Sequence, residues 1–182
     1  YALGFQGEGW LLVGRQGAHY STDGRYIEAA QKQVKGVQLS LISAQKGHLS
    51  LARDYIRAQR FERVGFESGY MNVEQYQRLC DALPCQLVPA QKLLTQLRAS
   101  KDEEELSAMR RAQEITDQAF REILNFIRPG MSEQQVAARL VYEMLRRGAR
   151  KVSFDPIVAA GANGSMPHAV PGETVIQAGM FV

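Results

Sequence analysis

From Leu106 to Ile127 the residues Leu106, Met109, Ala112, Gln113, Thr116, Ala119, Phe120, Ile123 and Ile127 recur at the 3, 4, 3 spacing of one helical face. A chain with such a stripe forms a helix of about seven turns and must bury that face against a second element. The run Lys101-Asp102-Glu103-Glu104-Glu105 places acidic side chains at the positive end of the helix dipole. Consecutive helix positions fan around the axis, so these carboxylates are read as capping groups and not as metal ligands. Arg128-Pro129-Gly130 ends the helix, Ser132 with Gln135 forms a capping box for the next one, and Gly148 closes that second helix after Arg147.

Upstream the pattern is shorter and alternates. Trp10 to Val13 and Ala18 to Thr22 are β-prone runs separated by Gly14-Arg15-Gln16-Gly17, the signature of a hairpin. Arg25 to Val34 is helix-competent, Val37 to Ile42 returns to strand, and Leu49, Ala52 and Ile56 mark another helix before a strand at Val64-Gly65-Phe66. Asn72 with Gln75 predicts a capping box ahead of Tyr76, Leu79, Cys80 and Leu83; Pro84 stops that helix before a last strand at Gln86 to Val88. A further helical turn follows at Leu93, Leu94 and Leu97. This alternation predicts an α/β layer domain over residues 1–97 and a second domain over residues 98–182.

Composition narrows the function classes. The 182 residues are 45% hydrophobic and 23% charged, which excludes disorder and coiled coil. No apolar run approaches the ~20 residues that span a bilayer, and the start lacks the basic and apolar regions of an export signal; a cytoplasmic protein is expected. Residues 1–97 carry eleven Lys/Arg against eight Asp/Glu and residues 98–182 carry eleven of each, a dispersed excess unlike the clustered stripe of a nucleic-acid binder. Cys80 and Cys85 are too few for a disulfide framework and read as reduced thiols.

Val152 to Phe154 and Ile157 to Ala159 are β-prone and split by Asp155-Pro156; the loop Gly161-Ala162-Asn163-Gly164-Ser165-Met166-Pro167-His168 then offers unusual backbone angles. His168 in that loop is the residue to weigh for chemistry, with a solvated side chain the simpler account on the residues alone, whereas structural or solvated roles suffice for His19 in a strand and His48 at a helix start. No nucleophile-elbow, P-loop or local Ser/His/Asp pattern is present. The chain opens on Tyr1 and closes on Gly179-Met180-Phe181-Val182, where an apolar strand is expected to begin. It is read as an interior segment of a longer protein, with the start of its first domain missing and its second domain cut short.

The string from Ser153 through Gly161, then Pro167-His168-Ala169, then Gly179 before apolar residues, resembles the entry to the catalytic domain of the Xaa-Pro peptidases, the aminopeptidase P and prolidase family. Tyr1-Ala2-Leu3-Gly4-Phe5 and Thr22-Asp23-Gly24-Arg25-Tyr26 are similar to recurrent stretches of that family's N-terminal domain. Leu97-Arg98 with Lys101, Glu104, Glu105 and Met109-Arg110-Arg111-Ala112 is similar to its interdomain junction. The resemblance implies a creatinase-like α/β N-terminal domain followed by the first part of an α+β catalytic domain of the pita-bread type, with helices outside a curved antiparallel sheet.

It also implies hydrolysis of the peptide bond before proline, proline-containing peptides as substrate, and two divalent ions of manganese, cobalt or zinc held by two Asp, one His and two Glu. None of those five ligands matches a position here; Asp155 and Glu173 are not among them, and the segment alone is expected to be inactive. His168 maps onto the family histidine that faces the two ions without binding them, where it hydrogen-bonds substrate and stabilises charge in the intermediate. Phe154 and Ile157 flank that entrance as candidate substrate-binding residues, with core packing the simpler account. Arg25 is expected to anchor its loop on Asp23. A homodimer is the expected assembly. The competing readings are a metal-free creatinase-type amidinohydrolase and a non-catalytic pita-bread binding module.

Overall fold

The computed structural model describes residues 1–182 as two compact units, Tyr1–Ala99 and Ser100–Val182. In the first unit, β1 (Trp10–Gly14) and β2 (Gly17–Thr22) pair antiparallel around a two-residue turn, with Gly14 opposite Gly17. The chain then crosses through α1 (Ile27–Gln33) and adds β3 (Val37–Leu41) parallel to β2. Parallel neighbours need such a crossover because a hairpin reverses direction. A second, two-stranded parallel sheet joins β4 (Arg63–Phe66) to β5 (Gln86–Pro89) across α3 (Val73–Ala82), and α2 (His48–Gln59) packs on β1, β2 and α3. α4 (Gln91–Ala99) closes the unit.

The core of this unit gathers Tyr20, Ala30 and Val34, with Leu3, Phe5, Leu11, Val37 and Leu39 packed around them. Polar side chains complete it as bonded pairs. His19 Nε2 and the Ser40 hydroxyl share a hydrogen bond of 2.9 Å, and His48 Nδ1 shares one of 2.8 Å with Ser21. The His19 ring stacks on Tyr55 and that of His48 on Trp10. Of the structural and solvated places open to them, both histidines thus hold structural ones, and burial lowers the pKa of each. Arg25 donates to Asp23 as expected, and it also reaches Glu8 at 2.7 Å. Cys80 and Cys85 are free thiols.

The second unit is built on two helices, α5 (Glu103–Phe126) and α6 (Glu133–Arg146). Asp102 caps the first through a reciprocal box with Glu105, and Ser132 caps the second through the same device with Gln135. The acidic run at the start of α5 therefore serves the helix terminus. Gly148, with φ of 98°, takes the left-handed conformation beyond the end of α6 that a side chain would resist. No helix of the chain is long and apolar enough to cross a membrane.

Two expectations are corrected here. The buried line of α5 runs through Ile115, Ala119 and Ile123 and on to Phe126 and Ile127, while Met109, Thr116 and Phe120 face solvent. The helix carries apolar residues on more than one strip, and only the strip that meets α6 is covered. The expected strands at 152–154, 157–159 and 180–182 do not form. These residues are extended or bent without a ladder, because no neighbouring strand stands beside them; the one bridge in this unit pairs Ser132 with Val175.

Candidate functional site

The segment after α6 is short of regular structure, and its position comes from side chains. Val158, Ala160 and Ile176 turn into a core made with Ile123, Val136 and Ala137. Along an extended chain successive side chains point to opposite sides, so Ile157, between Pro156 and Val158, is left 46% exposed, and Phe154 is 75% exposed. Neither of these two residues packs into a core among residues 1–182. Val158 and Ala160 fill the core in their place.

At Ala160 the chain enters a loop. Gly161, with φ of 57°, makes the turn that starts a short 3-10 helix, Gly161–Ser165. Met166 and Pro167 lead to His168, which is exposed, and Ala169 turns back into the core. The glycine-rich loop thus contains an ordered turn of helix. His168 lies at its outer end, on the same segment as the exposed Phe154 and Ile157.

The loop closes on a single carboxylate. Glu133, the first residue of α6, is 1% exposed. Its Oε1 accepts from the Ala160 backbone N–H at 2.7 Å and from Asn163 Nδ2 at 2.9 Å, and its Oε2 accepts from the Gly172 N–H at 3.1 Å. The bonds from Ala160 and Asn163 hold the carboxyl below the usual range against burial, and Gly172 adds to them. Asn163 also donates to the Thr174 hydroxyl at 3.0 Å.

A second buried acid, Glu143, lies two to three turns along the same helix. It meets Arg139 at 2.7 Å, Arg146 at 2.8 Å, and Arg147. Hydrogen bonds from Arg147 and Arg146 bring its pKa down to about 2 despite burial. Sequence reasoning passed over both acids. The signal was available: Glu133 and Glu143 fall on the same i, i+3, i+4, i+7, i+10 line as Val136, Ala137 and Leu140. A charge on an apolar stripe marks a buried, satisfied acid.

Metal chemistry finds no donor set in these residues. No three His, Cys, Asp or Glu side chains come together in the chain. Glu133 and Glu143, the two buried acids, already have N–H donors on both carboxyl oxygens or cations beside them. The residues present do not fit a pair of divalent ions.

Comparison with known proteins places each unit. Residues 1–100 match the Creatinase/Prolidase N-terminal domain, and residues 107–182 match Metallopeptidase family M24. The uncharacterized peptidase YqhT of Bacillus subtilis is 35% identical over 184 residues, taking in 100% of this chain and 52% of that relative. An Xaa-Pro dipeptidase from Bacillus anthracis superposes with a TM-score of 0.90 at 33% identity, covering 98% of this chain and 50% of that one. The X-Pro aminopeptidase from Thermotoga maritima gives 0.89 at 26% identity, with 98% and 51% covered. The chain thus spans about half the length of these relatives.

Proposed function

We propose, from a chain that belongs to the creatinase/prolidase N-terminal domain family and continues into a metallopeptidase family M24 segment, that the complete protein hydrolyses the peptide bond before proline. The observation that carries this reading is the likeness across both units to an Xaa-Pro dipeptidase and an X-Pro aminopeptidase. Residues 1–97 act as the creatinase-like domain, and residues 98–182 open the catalytic one. The complete protein forms a homodimer.

In this reading His168 faces the substrate. As the carbonyl carbon before proline becomes tetrahedral, its oxygen gains negative charge, and an imidazole N–H aimed at that oxygen stabilises the transition state more than the ground state. Phe154 and Ile157 are exposed apolar groups on the same segment, suited to an apolar side chain or the proline ring. The divalent ions of the reaction are held outside the residues described, so the 182-residue chain by itself is inactive.

The test is an assay of the complete protein on Xaa-Pro dipeptides and on longer peptides with proline second. The expected result is release of the residue before proline, abolished by a chelator and restored by manganese, cobalt or zinc. His168→Ala is expected to lower kcat by about 100-fold while two ions per subunit remain bound. Hydrolysis of creatine in place of Xaa-Pro peptides, unaffected by chelator, would overturn the reading, as would the absence of any hydrolysis by metal-loaded protein.

A further inference from the structure

Glu133 makes bonds that helix capping does not require. Ser132 and Gln135 already form the capping box of α6. Glu133 adds a buried carboxylate that accepts from both ends of the segment Ala160–Gly172, one end on each oxygen. Its third donor, Asn163, lies inside the segment, on the 3-10 helix. A loop whose two ends share one acceptor is closed in the manner of an Ω-loop, and the groups at its outer end are held by that closure. His168 is the titratable side chain within this loop.

Resting on the reading of His168 given above, we infer that Glu133 is a positioning residue for the reaction: its carboxylate clamps Ala160, Asn163 and Gly172, and through them sets where His168 stands. The residue touches no substrate. Its effect reaches the chemistry only through the loop, and a displaced hydrogen-bond donor costs turnover steeply. The arrangement is specific to a carboxylate. A Gln side chain keeps one oxygen for Ala160 and Asn163 but turns an NH2 group toward the Gly172 N–H, donor against donor.

The experiment compares Glu133→Gln, His168→Ala and the double variant in the complete, metal-loaded protein, with an Xaa-Pro dipeptide as substrate. Hydrogen exchange at the Gly172 amide is followed alongside. The expected result is a fall in kcat of about 10- to 100-fold for Glu133→Gln with KM within about twofold. In the His168→Ala background the same change costs less than about twofold, because the group it positions is gone. Exchange at Gly172 quickens in Glu133→Gln. Should that variant fail to fold, Asn163→Ala removes one arm of the clamp from the loop side, with a smaller loss of kcat that likewise vanishes in the His168→Ala background.

Equal losses in the two backgrounds, or unchanged exchange at Gly172, would overturn the role of Glu133 and leave the reading of His168 standing. Full turnover in His168→Ala alone would instead overturn that reading, and the positioning role with it.

Discussion

Glu143 shows how one buried acid organises its surroundings. Its side chain is fully buried and collects Arg139, Arg146 and Arg147, while Arg147 also reaches Glu122 on α5 at 3.3 Å. Breaking such a cluster from the acid side leaves cations without their partner, which costs more than the pair itself gains. Glu143→Gln is accordingly expected to lower the thermal midpoint of the second unit, whereas Glu114→Gln, at an exposed pair with Arg111 of 3.6 Å, leaves it nearly unchanged. The acid response has a definite sign. Folding moves the Glu143 pKa from 4.5 to about 2, so its contribution is fully present above 4.5 and is lost as pH falls toward 2. Thermal melts between those limits should show a steep decline that Glu143→Gln flattens; parallel curves for the two proteins would refute the assignment.

Helix ends are the best-determined features of this chain, because a cap is a local matter. The boxes at Asn72/Gln75 and Ser132/Gln135 were legible in the sequence and form with both reciprocal bonds. Asn72→Ala is expected to cost about 1 kcal/mol, measured by urea unfolding. The end of α2 is different: Arg60 takes a left-handed φ of 54°, the one non-glycine residue with positive φ. Arg60→Gly should therefore raise stability by about 0.5 to 1 kcal/mol, even after the greater freedom glycine has when unfolded. A loss of stability would mean that the Arg60 side chain makes a contribution larger than its backbone strain. What the sequence hid is equally physical. Spacing shows that α5 is amphipathic but not which strip α6 covers, so Ile115 was missed and Phe120 was wrongly placed inside. The β-prone runs after Lys151 carry strand propensity, yet a strand exists only where a ladder partner stands beside it. Of the candidate site, His168 and its loop were visible as residues, whereas Glu133, which closes the loop, was passed over as an ordinary residue at a helix start although it falls on the apolar line of α6.

Across the whole molecule the two units store different groups at unusual pKa values, and this makes their acid responses separable. In Tyr1–Ala99 both His19 and His48 are lowered below 6.5, first by burial, with Lys46 adding to the effect at His19 and Asp23 opposing it at His48. The unfolded chain binds these protons more readily than the folded one, so stability falls as pH drops below the ordinary histidine value. In Ser100–Val182 the shifted buried groups are Glu133 and Glu143, both lowered from 4.5, and their contribution persists until pH falls below that value. Between the two thresholds the first unit should weaken while the second does not. Hydrogen exchange read peptide by peptide on the 182-residue chain tests this directly. As pH is lowered from 6.5, peptides covering β2, β3 and α2 are expected to lose protection first, after correction for the intrinsic exchange rate, and those covering α5 and α6 only below 4.5. Replacing His19 with Gln should delay the first loss, since the side chain then has no proton to gain. If protection disappears from both units at one pH, the buried histidines do not control the acid stability of the first unit.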